Sequence, residues 1–184
     1  MLRLGFALAF CAAALTGCSK PIFQNDLSFV KDGNEYDFRV SVVKDMLYIS
    51  CKYNGADIGG DYGRSIAGSI AQVAVKDLNS DGYPELYVFY DGSSPVPDIT
   101  AITCNERACS GIGVLGAVGG PGPENYCGDD SYSIENNLVI RKYRLCRTPS
   151  PTGAGFGAMA YTLGRNSFGY ILNLADAPVR TVSN

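Results

Sequence analysis

VAVKDLNSDGYPELYVFY, residues 73–90, decides how this chain folds. Val73 and Val75 are alternate apolar residues and read as the end of a strand. Asp77-Leu78-Asn79-Ser80-Asp81-Gly82 is a tight acidic loop. Glu85 to Tyr90 is a second strand, with β-branched and aromatic residues on both faces. A strand apolar on both faces is sandwiched between two layers, so this hairpin belongs at the centre of the fold.

Working outward, short strands recur with turn signals between them. Leu27 to Val30 is one, closed by Lys31-Asp32-Gly33-Asn34. Glu35 to Val43 alternates cleanly, with Tyr36, Phe38, Val40 and Val42 opposite Glu35, Asp37, Arg39 and Ser41. That is a half-buried antiparallel strand. Lys44-Asp45 turns it into Met46 to Tyr53, and a Gly-rich loop over 54–68 leads to the central hairpin. Ile99 to Cys104 and Ile112 to Val118 follow as strands, separated from the rest by the loop Gly119-Gly120-Pro121-Gly122-Pro123. Ser131 to Glu135 and Leu138 to Leu145 form a hairpin around Asn136-Asn137, its second strand carrying Arg141, Lys142 and Arg144. Ala158 to Leu163 and Gly169 to Leu174 form the last hairpin. No long stretch outside residues 1–17 has helical periodicity. The pattern predicts an all-β fold, an antiparallel β-sandwich of about eight strands.

The acidic loop has a chemistry of its own. Asp77, Asn79 and Asp81 are spaced by two, Gly82 follows, and Glu85 comes three later. Alternate residues of a curled loop can aim their oxygens at one point, and Gly82 permits the bend. Hard oxygen donors of this kind suit Ca²⁺. The twelve-residue EF-hand loop would close with a glutamate where Val88 stands. The pattern is closer to shorter strand–loop–strand calcium loops that close with an acid at the position of Glu85. The other reading of the same residues is a β-turn held by Asx side chains and a glycine.

The N-terminus reads as a targeting segment. Arg3 supplies the positive start, and Leu4 to Leu15 is an apolar run too short to span a bilayer. Leu15-Thr16-Gly17-Cys18 resembles a bacterial lipoprotein lipobox. The resemblance implies cleavage before Cys18 and acylation of that cysteine, which anchors the protein to a membrane. Ser19 stands where an Asp would signal inner-membrane retention, so the expected place is the outer membrane, facing the periplasm. The expected organisation is a signal peptide over 1–17, a lipidated tether over 18–25, a β-sandwich domain over 26–176 and a tail over 177–184.

Composition bounds the remainder. Without residues 1–17 the 184-residue chain retains 167, enough for one domain burying roughly 70% of its unfolded surface. The chain carries 15 Lys and Arg against 18 Asp and Glu, and losing Arg3 moves the net charge from −3 to −4. That balance argues against a nucleic-acid partner. There is no His, which removes the commonest acid–base catalyst and any Ser-His or Cys-His arrangement. Past Cys18, five cysteines remain, and an odd set leaves at least one unpaired. The expected disulfides are Cys104–Cys109, across a short turn, and Cys127–Cys146, closing a strand pair. Cys51 sits on a strand and is expected to be buried and inert, although sequence leaves its pairing with another cysteine open.

The run Asp77 to Phe89 also resembles the bacterial periplasmic inhibitors of invertebrate-type lysozyme. Gly128 to Ile134, Asn137 to Tyr143, and Tyr161-Thr162-Leu163 through Gly169-Tyr170-Ile171-Leu172 resemble that family's later strands, in the same order. The resemblance covers about residues 25 to 176. It implies a dimer-forming β-sandwich that blocks a peptidoglycan hydrolase. A loop after the central strand would enter the lysozyme cleft and hydrogen-bond its two catalytic carboxylates. The equivalent loop here is Asp91-Gly92-Ser93-Ser94-Pro95-Val96-Pro97-Asp98. Ser93 and Ser94 match the family's serine, but the tyrosine of its Ser-Gly-x-x-Tyr motif is missing. Asp91 and Asp98 would add negative charge beside the enzyme's carboxylates. The same loop also reads as a Pro-stiffened surface connection.

Two other classes compete. One is a calcium-stabilised envelope lipoprotein that binds another protein without inhibiting lysozyme. The other is an enzyme acting through paired acids such as Asp129 and Asp130. Adjacent residues of an extended chain point to opposite sides, so those two make a poor pair. No nucleophile–base set is visible, and the expectation is a protein that is not an enzyme.

Overall fold

The computed structural model describes residues 20–59, 62–91, 98–114, 125–146 and 155–175, and among these there is no helix. The strands are β1 (Phe23–Lys31), β2 (Asn34–Val43), β3 (Met46–Tyr53), β4 (Ala56–Asp57), β5 (Tyr62–Ser65), β6 (Ile70–Lys76), β7 (Glu85–Tyr90), β8 (Ile99–Cys104), β9 (Cys109–Val114), β10 (Ser131–Glu135), β11 (Leu138–Leu145), β12 (Gly155–Asn166) and β13 (Gly169–Leu174). They form two sheets. The smaller has five strands, ordered β1-β2-β3-β4 with β5 also on β3. The larger has eight, ordered β10-β11-β12-β13-β9-β8-β7-β6. All pairs are antiparallel except β9 with β13.

The fold is all-β and sandwich-like, as the turn spacing predicts. Every residue of β7 and β8 is buried, so the apolar run at Glu85–Tyr90 does mark the core, whereas its hairpin partner β6 is the edge strand of the larger sheet and no residue of it is fully buried. Leu86, Val88 and Tyr90 face one way, into a cluster with Phe38, Val40, Leu47 and Ile49 of the smaller sheet. Tyr87 and Phe89 face the other way, against Tyr132, Val139, Tyr161 and Leu172. The β10–β13 end of the larger sheet thus folds back over β7 and β8 near its other end. Apolar surface removed from water stabilises by about 25 cal/mol per Å², and β7 and β8 bury theirs on both faces.

The sequence reading needs correction in four places. Among the described residues there are thirteen strands where about eight are expected. The first begins at Phe23, inside the expected tether, because Phe23, Leu27 and Phe29 share a half-buried face that Gln24-Asn25-Asp26 obscures. The Gly-rich stretch after Tyr53 is not all loop, since β4 and β5 both pair with β3. The strand expected at Ile112 begins at Cys109, opposite Cys104. Residues 1–17, Cys18 and the tail over 177–184 lie outside the described residues.

Disulfides join Cys104 to Cys109 and Cys127 to Cys146, as expected. The second closes a loop worth about 3 kcal/mol in the chain-entropy model. Cys51 is free and buried, and burial pushes its thiol up to about 12, which leaves it inert. The Asn136-Asn137 turn has both residues left-handed, at φ 49° and 59°, the geometry a two-residue hairpin demands.

One charged pair sits inside the second layer. Arg141 of β11 is fully buried and Asp130 is 2% exposed, with Nη2 to Oδ2 at 2.6 Å and Nε to the same oxygen at 3.1 Å. The guanidinium also lies 5.2 Å from the Tyr126 ring and 5.5 Å from the Tyr143 ring. Removing one member of a buried pair leaves the other charge uncompensated. Asp130→Ala is therefore expected to cost about 3–5 kcal/mol in urea denaturation. A loss below about 1 kcal/mol would mean that water reaches Arg141 and compensates it.

Candidate functional site

Two loops leave the ends of β7. The acidic loop joins β6 to β7. Asp77 Oδ1 accepts from the Asp81 N–H at 3.1 Å, and Asp77 Oδ2 accepts from the Gly82 N–H at 3.1 Å. Asn79 Oδ1 accepts from the Asp81 N–H at 3.1 Å, while its amide nitrogen donates to Asp81 Oδ2 at 2.8 Å. Asp81 Oδ1 accepts from the Tyr83 N–H at 2.9 Å. Gly82 stands at φ 97°, a conformation in which a Cβ would be strained. These are the Asx bonds of the turn reading.

Glu85 is different. It opens β7 and is fully buried. Its Oε2 accepts from the Leu78 N–H at 2.7 Å, but its Oε1 is buried with no partner. Burial pushes its carboxyl up to about 8; the Leu78 N–H opposes the shift, and Asp81 and Asp77 reinforce it. One oxygen from each of Asp77, Asp81 and Glu85 lies within 4.8 Å of the others. The structure thus brings together the three acids that the spacing singles out, and places Asn79 on Asp81.

Residues far away in sequence complete the surroundings. Lys31, at the end of β1, donates from Nζ to Asp77 Oδ2 at 2.8 Å. The Tyr170 hydroxyl of β13 donates to Asp81 Oδ2 at 3.0 Å. Both sheets therefore reach this loop. Beside it opens a cleft of about 490 Å³, lined by Tyr83, Arg107, Arg165 and Tyr170 among others. Sequence reasoning missed Lys31 and Tyr170, because only the folded register brings them to the loop.

The second loop joins β7 to β8. Gly92, Ser93 and Ser94 lie outside the described residues, but both flanks are placed. Asp91 is exposed; its N–H donates to the Ser69 carbonyl at 2.9 Å, and its Oδ2 accepts from the Ser69 hydroxyl at 3.2 Å. The Asp98 carbonyl accepts from the Tyr90 N–H at 3.4 Å, and its backbone also holds the Tyr132 phenol. Beneath, the Tyr90 and Thr100 hydroxyls are 2.7 Å apart, and Arg64 donates to Thr100 at 3.0 Å. The Tyr90 phenol is buried, so it does not replace the missing loop tyrosine.

Asp129 and Asp130, the candidate acid pair, are held by different partners. Asp129 lies 3.1 Å from Arg144 near the surface, and Asp130 is taken up by buried Arg141. No family model, curated protein or solved structure matches the chain.

The buried carboxyl sets a pH dependence. A raised carboxyl holds its proton more tightly in the folded state, so its contribution is fully present below about 4.5 and is lost as pH rises through about 8. In chelator, Glu85→Gln is expected to melt several degrees above wild type at pH 8.5, at roughly 2–4 °C per kcal/mol. The two proteins should converge near pH 5. Parallel pH profiles in differential scanning calorimetry would show that Glu85 titrates normally.

Proposed function

We propose that this is a lipid-anchored protein of the bacterial outer membrane, facing the periplasm, that blocks the cleft of a lysozyme-type peptidoglycan hydrolase. The blocking segment is the loop from Asp91 to Asp98, with Ser93 and Ser94 donating to the hydrolase's carboxylates. The observation that carries this reading is the loop's mounting. Its two ends grow from the most deeply buried strands of the fold and are tied down by Ser69, Tyr90 and Tyr132. Fixed ends limit the span of chain that must be ordered when a partner is engaged. The Ser69 hydroxyl on Asp91 offsets part of the negative charge that would otherwise meet the enzyme's acids. The ordered sequence resemblance to inhibitors of invertebrate-type lysozyme supports the same target class and a homodimer.

A binding protein fits these residues better than an enzyme. The chain has no His, and Asp129 and Asp130 are each occupied by an arginine. The described chain also enters at the loop's end of the sandwich: the Ile22 N–H donates to Val42, and Ile22 and Ser69 line one groove. Four residues from Cys18 to Ile22 reach about 14 Å at full extension. An anchored copy would hold the loop close to the bilayer.

The test uses purified protein against invertebrate-, goose- and chicken-type lysozymes. Inhibition of the invertebrate-type enzyme at micromolar concentration or below is expected, and absence of inhibition across the panel would overturn the proposal. Bulky replacements at Ser93 and Ser94 should abolish inhibition without changing the melting temperature. Cys18→Ala should move the protein from the membrane fraction to the soluble periplasm. The released protein should inhibit more strongly than protein on vesicles. Membrane retention of Cys18→Ala would defeat the anchor.

A further inference from the structure

We infer that Asp77, Asp81 and Glu85, with Asn79 beside them, form a calcium site that joins the two sheets, and that Lys31 is its built-in counter-charge. Asp77, Asp81 and Glu85 converge where β7 begins, and Asn79 is hydrogen-bonded to Asp81 beside them. Oxygens bound to one Ca²⁺ at about 2.3–2.6 Å stand no more than about 5 Å apart. The three acids meet that limit, each with an oxygen within 4.8 Å of the others.

An acidic cluster alone is common on protein surfaces and holds nothing. Here the independent observation is Glu85. Its side chain is fully buried, its carboxylate closes on the other two acids, and its Oε1 has no hydrogen-bond partner. Burying an unpartnered carboxylate oxygen is costly unless a charge meets it. The nearby Tyr87 hydroxyl, on the same face of β7, is also buried without a partner. Its phenol is raised by burial and then by the Glu85 charge.

Charge matching selects the valence. Asp77, Asp81 and, once a cation displaces its proton, Glu85 face one ammonium, that of Lys31 at 2.8 Å from Asp77. Two negative charges are then left over, and a divalent cation balances them. Donor chemistry selects the ion. Every candidate ligand is a hard oxygen, with no thiolate or imidazole in the cluster, which disfavours zinc. A curled loop with mixed carboxylate and amide oxygens suits the flexible shell of Ca²⁺ better than the strict octahedron of Mg²⁺. Lys31 belongs to β1 and Tyr170 to β13, so a cation here would tighten the contact between both sheets and the central hairpin.

Terbium serves as the spectroscopic probe, since Tyr83, Tyr87 and Tyr170 surround the loop and can sensitise it. Protein stripped with chelator should bind one Ca²⁺ by calorimetry, show tyrosine-sensitised terbium emission that Ca²⁺ displaces, and melt several degrees higher in millimolar Ca²⁺ than in Mg²⁺. Glu85→Gln, which keeps shape and the Leu78 bond, should lose at least tenfold in affinity while staying folded in chelator. Asp81→Ala should abolish the calcium-dependent rise in melting temperature. Lys31→Met should bind Ca²⁺ several-fold more tightly. No calcium effect on wild type at millimolar concentration, or wild-type affinity in folded Glu85→Gln, would overturn the site. Unchanged or weaker binding in Lys31→Met would overturn the charge matching. Lysozyme inhibition is not among the readouts, so this site and the loop at 91–98 stand or fall separately.

Discussion

The structure depends on one constraint: the β7–β8 hairpin must be covered on both faces. A strand that reads Glu-Leu-Tyr-Val-Phe-Tyr has no side to give to water. One cover comes from the first half of the chain, where β2 and β3 offer Phe38, Val40, Leu47 and Ile49. The other comes from the second half, where β10 to β13 offer Tyr132, Val139, Tyr161 and Leu172. The parallel contact between β9 and β13 then follows. It lets the last strands stay in the same hydrogen-bonded sheet while lying across β7 and β8.

Rigidity at the centre is passed to the two ends. β6, β7 and β8 run antiparallel, so the acidic loop and the loop from Asp91 to Asp98 leave opposite ends of the slab. They differ in chemistry. One end gathers acids, a lysine and two tyrosines into a closed network. The other carries serines and prolines between two acids, beside the groove where the chain enters. A ligand at one end need not compete with a partner at the other, although both act on the same stiff hairpin.

Much of the fold was legible because it is written in alternation. The hairpin of β6 and β7, the strands from Ile99 to Cys104 and from Leu138 to Leu145, the Asn136-Asn137 turn and both disulfides follow from local pattern, although β6 lies at a sheet edge rather than at the centre. What local pattern obscured was the start of β1, where three polar residues interrupt an apolar face, and the short strands β4 and β5. Those two exist only because β3 offers an edge to pair with. At the acidic loop, spacing gave the three acids but not their occupants. Lys31 lies 46 residues away and Tyr170 lies 89 away, and such contacts leave no mark on a single sequence.

Glu85 is where turn and metal site can be told apart on physical grounds. A turn needs Asp77, Asn79 and Asp81 for their Asx bonds, and those bonds are all made. It needs nothing from position 85 beyond an acceptor for the Leu78 N–H. A glutamine there would supply that acceptor without placing a third acid beside two others. A carboxylate instead brings like-charge repulsion, desolvation and an oxygen with nothing to accept from. Each of those costs reverses sign once a cation sits among the three oxygens. The turn chemistry accounts for the loop's shape, and the buried acid beneath it needs either a retained proton or a positive charge at the loop's centre.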